Sequence, residues 1–266
     1  MYFSRFILAA ALSIPAAASS AHEFWIEPQR FQVESGEDMA IDLKNGQNFF
    51  GTRLSYFQNQ FTRFELAQGD TLIPAEGRTG DRPALKATAP QDGLLVILHE
   101  STASRLKYTE WAKFAKFAAH KDFLNAEADH TAAGWPREDF RESYTRHVKA
   151  LMSVGTGEGA DQKYGMETEF VALTNPYSDD FDGTMRVQVF FKDTPRADAQ
   201  VEVFERAPDE TVAITLYRTN DEGIASIPVK PAHTYLFDAV VLQPHTADDK
   251  SVWQTLWAAL TFQVAK

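Results

Sequence analysis

His22 is the residue with the clearest capacity for chemistry, because it becomes the first residue of the chain if a signal peptidase cleaves after Ala21. A histidine at a free N-terminus offers the α-amine and the imidazole Nδ1, which can close a chelate ring on one metal ion. The amine has a pKa of about 7.7–8.0, so a metal displaces its proton readily near neutral pH. Imidazole suits zinc, copper, nickel and cobalt, with affinity highest for copper. The stretch therefore predicts a divalent-metal site, unless His22 merely marks the cleavage point.

Folding must bring at least one more ligand to His22 for a stable site. His99 follows the apolar run at 94–98, where a ligand can point out of a sheet end, and His245 lies in the loop Q-P-H-T at 243–246. Glu23 could add a carboxylate oxygen. None of the seven histidines forms an H-x-H or i, i+4 pair, so the sequence carries no strong local metal motif. The predicted ligand set is therefore His22, His99, His245 and Glu23.

The other histidines have simpler interpretations. His147 lies in an apolar pattern typical of a core residue, whereas His120 and His130 are predicted at polar, solvated helix ends. His233 is predicted at the start of a strand, where it could be either buried in the core or exposed to solvent. None of them enters the predicted site.

Residues 1–21 have the pattern of a secretory signal. One arginine, Arg5, precedes an apolar run at 6–14, and small residues follow up to Ala21. Ser19 and Ala21 satisfy the small-x-small cleavage rule. Cleavage after Ala18 is also permitted, and it would leave no N-terminal histidine. We expect a secreted, soluble periplasmic protein of 245 of the 266 residues, since no later segment reaches the roughly 20 apolar residues of a membrane span.

Composition limits the partners. There is no cysteine, so disulfides, thiolate metal sites and a lipidated cysteine are excluded. The mature chain loses one of 26 basic residues and none of 37 acidic ones, which leaves a net charge of −12. Such a charge disfavours nucleic acid and anionic membranes and is compatible with cations.

Catalytic signatures are not evident. The sequence has no G-x-S-x-G, no H-E-x-x-H and no cysteine nucleophile. The alternating glycines at 155–159 lack the strand-to-helix context of a nucleotide site and are read as a turn. We therefore expect a protein that is not an enzyme.

Hydrophobic periodicity predicts a mainly β fold of two β-sandwich units, immunoglobulin or transthyretin-like, with a helical insertion. Residues 22–165 contain short strands separated by turn residues such as Asn45-Gly46. Within them, residues 105–152 are predicted to be helical, with one helix ending near His120 and a second at 137–152. Residues 166–266 show regularly spaced strands and form the predicted second sandwich.

Four stretches together resemble a known family. They are A-H-E-F-W-I-E-P at 21–28, Y-T-E-W-A-K-F-A-K-F at 108–117, G-T-G-E-G-A-D-Q-K-Y at 155–164 with T-N-P-Y at 174–177, and W-Q-T-L-W-A-A-L-T-F at 253–262. The chain resembles a bacterial periplasmic family with a domain of unknown function, described as the periplasmic component of nickel or cobalt uptake systems.

The resemblance implies metal binding by His22, and a C-terminal unit like a carboxypeptidase-regulatory or transthyretin domain. It also implies a membrane metal transporter as partner. Relatives carry a histidine near Val241, where this chain has valine, so His245 is a candidate to replace it.

The leading hypothesis is a soluble periplasmic protein that captures nickel or cobalt, with copper as a variant, and delivers it to a membrane partner. One alternative is a metal-independent β-sandwich binding module for a protein or glycan, contacted through exposed aromatic residues such as Trp135 or Trp253. Another is a copper oxidase with a histidine brace, which would need a second coplanar histidine and an open coordination position.

Overall fold

The computed structural model describes residues 22–266, and the predicted signal at 1–21 lies outside the described residues. The first half contains β1 (Glu23–Pro28), β2 (Gln32–Val33), β3 (Asp38–Gln47), β4 (Phe50–Leu54), a 3₁₀ turn (Gln58–Gln60), β5 (Phe61–Gln68), β6 (Thr71–Pro74), β7 (Leu85–Thr88), β8 (Gly93–Ser101), β9 (Ser104–Tyr108), α1 (Trp111–His120), α2 (Ala126–Ala132) and β10 (Phe140–Val154). The second half contains β11 (Thr168–Ala172), β12 (Thr184–Phe191), β13 (Thr194–Pro195), β14 (Gln200–Arg206), β15 (Val212–Arg218), β16 (Ile224–Pro228), β17 (Thr234–Pro244) and β18 (Trp253–Gln263).

A ten-stranded central sheet organises the molecule. Its main path runs β15-β14-β17-β18-β10-β8-β5-β6, and β2 and β9 also pair with β10. All its pairs are antiparallel except β10 with β18 and β10 with β2. Because β10 lies between β8 and β18, strands from both sides of residue 165 share this sheet, which crosses the predicted division of the chain.

Two smaller sheets cover the two faces of the central sheet. The sheet β1-β3-β4, with β7, packs Ile41 and Leu43 against Ile97 and Val148. The sheet β11-β12-β13, with β16, covers the other face. Its core contacts come from Met185, Val187 and Val189 of β12, which pack on Val203, Phe237 and Leu260. The predicted mainly β fold with sandwich packing is confirmed, in the form of two sandwiches that share their middle sheet.

The helical prediction is half correct. The first predicted helix is α1, but the second, at 137–152, is wrong because this segment is the long strand β10. Every residue of β10 from Arg146 to Val154 is buried, since sheets cover it on both sides. A strand buried on both faces loses its polar/apolar alternation, and its apolar residues then fall into a helical spacing by coincidence. The actual second helix is the shorter α2.

Both helices close one end of the central sheet through an aromatic cluster. Phe114 of α1 stacks on Trp253 with ring centroids 5.7 Å apart, so the prediction that Trp253 is exposed is wrong: it is 2% exposed. His130 of α2, predicted to be solvated, is fully buried in this cluster. The indole Nε1–H of Trp253 donates a hydrogen bond to Nδ1 of His130 at 3.0 Å. The Nε2 atom of His130 lies 3.0 Å from the Pro136 carbonyl oxygen. These partners require a neutral imidazole with the proton on Nε2.

We expect the His130 contact to weaken in acid. Burial lowers the pKa of His130 below its ordinary 6.5. A base with a lowered folded pKa stabilises the fold above its unfolded pKa, and this contribution is lost as pH falls below about 6.5. His130→Gln should cost about 1–3 kcal/mol of unfolding free energy at pH 7.5. Urea denaturation of both proteins from pH 7.5 to 5.5 should show the difference shrinking, and a constant difference would contradict this assignment.

Candidate functional site

A cavity of about 350 Å³ lies where the N-terminal strand crosses the central sheet. We call it the N-terminal cavity. Its walls come from β1, β3, β4, the 3₁₀ turn, β5, β8, β9, β10 and the segments joining them, so all of its lining residues precede residue 147 in the chain. They are Phe24, Leu43, Asn45, Leu54, Ser55, Phe57, Gln60, Phe61, His99, Ser101, Thr102, Ser104, Tyr144 and Arg146.

His99 contributes a buried imidazole to this cavity. It is 3% exposed and is surrounded by the rings of Phe24, Phe61 and Phe64, with centroids 5.1–5.4 Å away. Desolvation lowers the pKa of His99 to about 3, so the imidazole is neutral at physiological pH. Its Nδ1 has no hydrogen-bond partner among residues 22–266. A neutral imidazole with an unpaired nitrogen is the protonation state that metal ligation requires.

His22 lies beside this cavity. Its carbonyl oxygen accepts a hydrogen bond of 2.5 Å from Nη2 of Arg146, which lines the cavity. His22 immediately precedes β1 and is exposed. Side chains alternate along a strand, so position 22 shares the side of β1 that Phe24 presents to His99. The structure therefore places His99 in the wall of the cavity and the backbone of His22 against Arg146 at its edge.

Glu23 is placed on the other side of β1. It is 5% exposed and lies near a buried group formed by Lys121, Glu202 and Asp238. Nζ of Lys121 lies 2.6 Å from a carboxylate oxygen of Glu202 and 2.6 Å from one of Asp238. Burial, reinforced by the charge of Asp238, raises the pKa of Glu23 to about 7. Glu23 does not line the cavity, so it belongs to this charged group rather than beside His99.

His245 does not line the cavity and lies along the sheet from the charged group. It follows Pro244, which pairs with Trp253, whereas Asp238 of the charged group pairs with Ala259. Pro244 is six positions along β17 from Asp238 and four from Val240, which pairs with Trp257 in the row of Arg146. At roughly 3.3 Å per residue these separations are about 20 Å and about 13 Å. Within the described part of the chain, no three His, Asp or Glu side chains form a group able to hold a metal ion. A site at the cavity would thus rest on His22 with its freed amine and on His99.

Sequence reasoning missed the buried cations. Lys149 and Arg146 were assigned to a helix, but they lie on opposite faces of β10 and are 1% and 6% exposed. Lys149 pairs with Asp161 and Glu169, whereas Arg146 stacks over the Trp257 ring at 4.2 Å. The signal available was the pattern R-H-V-K-A-L-M at 146–152, which sets charges inside an apolar run.

Comparisons with known proteins identify a family and little else. A family model described as a domain of unknown function (DUF4198) matches residues 19–243. No curated protein sequence matches the chain. No helix within residues 22–266 is long and apolar enough to cross a membrane.

Two solved structures are similar to the chain only at a low level. The tetra-tandem repeat in the extending region of a large adhesion protein is 13% identical, with a TM-score of 0.22; the alignment covers 91% of this chain and 50% of that one. The D0-D1 domain of intimin is 12% identical, with a TM-score of 0.21. The alignment covers 90% of this chain and 97% of the intimin domain. The chain thus spans half the length of the first structure.

Proposed function

The chain belongs to the DUF4198 family, a domain of unknown function, and we propose that it captures a divalent transition-metal ion in the periplasm. The ion is held by the α-amine and imidazole of His22 after signal cleavage and by the imidazole of His99. The role is capture without catalysis. Nickel or cobalt is the proposed cargo, with copper as a variant, and a membrane metal transporter is the proposed recipient.

One observation carries the proposal: the cavity beside the mature N-terminus contains a buried, neutral histidine with an unpaired nitrogen. An unpaired polar atom in an apolar environment is costly unless something occupies the site. A metal ion would satisfy His99 Nδ1 and use the amine that cleavage creates at His22. Nitrogen ligands of this kind suit nickel, cobalt and copper.

The resemblance noted in the sequence supports the choice of nickel or cobalt and of a transporter as partner. A site with few protein ligands leaves coordination positions open, and open positions let a recipient take over the ion stepwise. The net charge of −12 favours attraction of cations to the protein.

Calorimetric titration of Ni²⁺ into the metal-free mature protein tests the role of His99. His99→Phe keeps an aromatic ring in the Phe24, Phe61 and Phe64 cluster but removes the ligand, so we expect affinity to fall by at least about tenfold to a hundredfold. His245→Gln is the matched control and should bind like the wild type, since His245 does not line the cavity.

Equal affinity of His99→Phe and the wild type would contradict the assignment of His99. A melting temperature that no divalent metal raises would instead favour the metal-independent binding module, because a ligand that binds only the folded state must stabilise it.

A further inference from the structure

We propose that the N-terminal cavity is also a binding site for a small organic carboxylate with an apolar body, whose charge is met by Arg146. This inference goes beyond metal capture and requires no metal.

Arg146 is a buried cation without an acidic partner. It is 6% exposed, and among residues 22–266 no carboxylate oxygen lies within 4.0 Å of its guanidinium. Its side chain donates one hydrogen bond, to the carbonyl of His22, and stacks between the rings of Trp257 and Tyr144. Asp238, Glu142 and Glu23 act on it only at longer range, and burial outweighs them and lowers the pKa of Arg146. Buried charges in proteins are normally paired, so this one calls for an anion.

Hydroxyl groups around the cavity are arranged to donate. The Ser101 Oγ accepts the backbone N–H of Arg146 at 2.9 Å, and the Ser55 Oγ accepts Nη2 of Arg82 at 3.0 Å. Each hydroxyl accepts one hydrogen bond and donates none to a residue of the described chain, so its O–H is available to donate to a ligand. Both residues line the cavity, and no Asp or Glu does. The polar side of the cavity therefore favours an acceptor with negative charge.

The remaining wall is apolar. Phe24, Phe57, Phe61 and Leu54 line it, and its volume of about 350 Å³ lies at the lower end of the range of small-molecule pockets, about 300–1,000 Å³. An inorganic anion would leave this apolar surface uncovered. A carboxylate on a short aliphatic or aromatic body matches both sides, since a planar carboxylate pairs with guanidinium through two hydrogen bonds.

The test uses the chelator-treated mature protein, so that its result is separate from metal binding. Hexanoate, benzoate and 3-phenylpropionate are each titrated beside the corresponding neutral amide, with binding followed by NMR of the phenylalanine rings. We expect at least one carboxylate to bind about tenfold to a hundredfold more tightly than its amide, because a hydrogen bond to a charged group adds to affinity. The signals of Phe24 and Phe61 should shift on binding.

Arg146→Gln keeps a donor for the His22 carbonyl but removes the charge, and it should reduce carboxylate affinity to that of the amide. Arg186→Gln, an exposed arginine paired with Asp182 on β12, is the control and should leave binding unchanged. Three results would overturn the inference: no binding by any of the three carboxylates up to about 10 mM, equal binding of acid and amide by the wild type, or shifts confined to residues outside the cavity.

Discussion

Replacing Lys149 with methionine will lower the free energy of unfolding by about 3–5 kcal/mol. Its Nζ lies 2.7 Å from a Glu169 carboxylate oxygen and 3.1 Å from one of Asp161, and all three side chains are at most 1% exposed. The substitution leaves two carboxylates buried together without a cation. Glu169 accepts three backbone N–H groups from residues 164–166, and Asp161 accepts the N–H of Ala172. The loss thus also loosens the loop between β10 and β11.

Urea denaturation at pH 7 measures this effect. Lys163→Met is the matched control, because Lys163 is an exposed lysine of the same loop paired with Asp193, and it should cost less than about 1 kcal/mol. A triple variant that combines Lys149→Met with Asp161→Asn and Glu169→Gln removes the two unpaired charges. It should recover part of the lost free energy of unfolding. A cost of Lys149→Met no larger than that of the control would refute a structural role for this buried group.

Extending the mature chain by one alanine before His22 will reduce the affinity for Ni²⁺ by a hundredfold or more. The extension converts the amine of His22 into an amide, which removes the chelate ring and its high effective concentration of the second donor. The fold should not change, since the side chain and the carbonyl of His22 are retained and only an exposed terminus is altered. Calorimetric titration of the two proteins, matched in melting temperature, provides the comparison; equal affinities would exclude the amine as a ligand.

Local patterns in the sequence were sufficient for the mainly β class, for α1 and for the buried strand β8, although this strand continues past His99 to Ser101 and buries the histidine. They failed at β10, where a strand covered on both faces mimics helical spacing. Burial of Arg146 depends on Trp257, which lies 111 residues further along the chain, and burial of Lys149 depends on Glu169, 20 residues further along. Only long-range strand pairing supplies such contacts.

The candidate site likewise combines features that the sequence reveals with contacts that only folding creates. The sequence could nominate His22 and His99 as ligands by residue type, but the placement of His22 next to the cavity that His99 lines depends on β1 crossing the central sheet near β8. Glu23, the direct neighbour of His22, faces the opposite side because strand residues alternate. His245 was nominated from a loop position alone, and the fold does not bring it into the lining of the cavity.

The most direct single measurement is the intact mass, under native conditions, of the protein recovered from its own secretion route, before and after addition of chelator. We predict a chain that begins at His22 and loses the mass of one metal ion, which also identifies the metal. A chain that begins at Ser19, or one that begins at His22 but gains no mass when supplied with nickel, cobalt or copper, would contradict metal capture at the N-terminus.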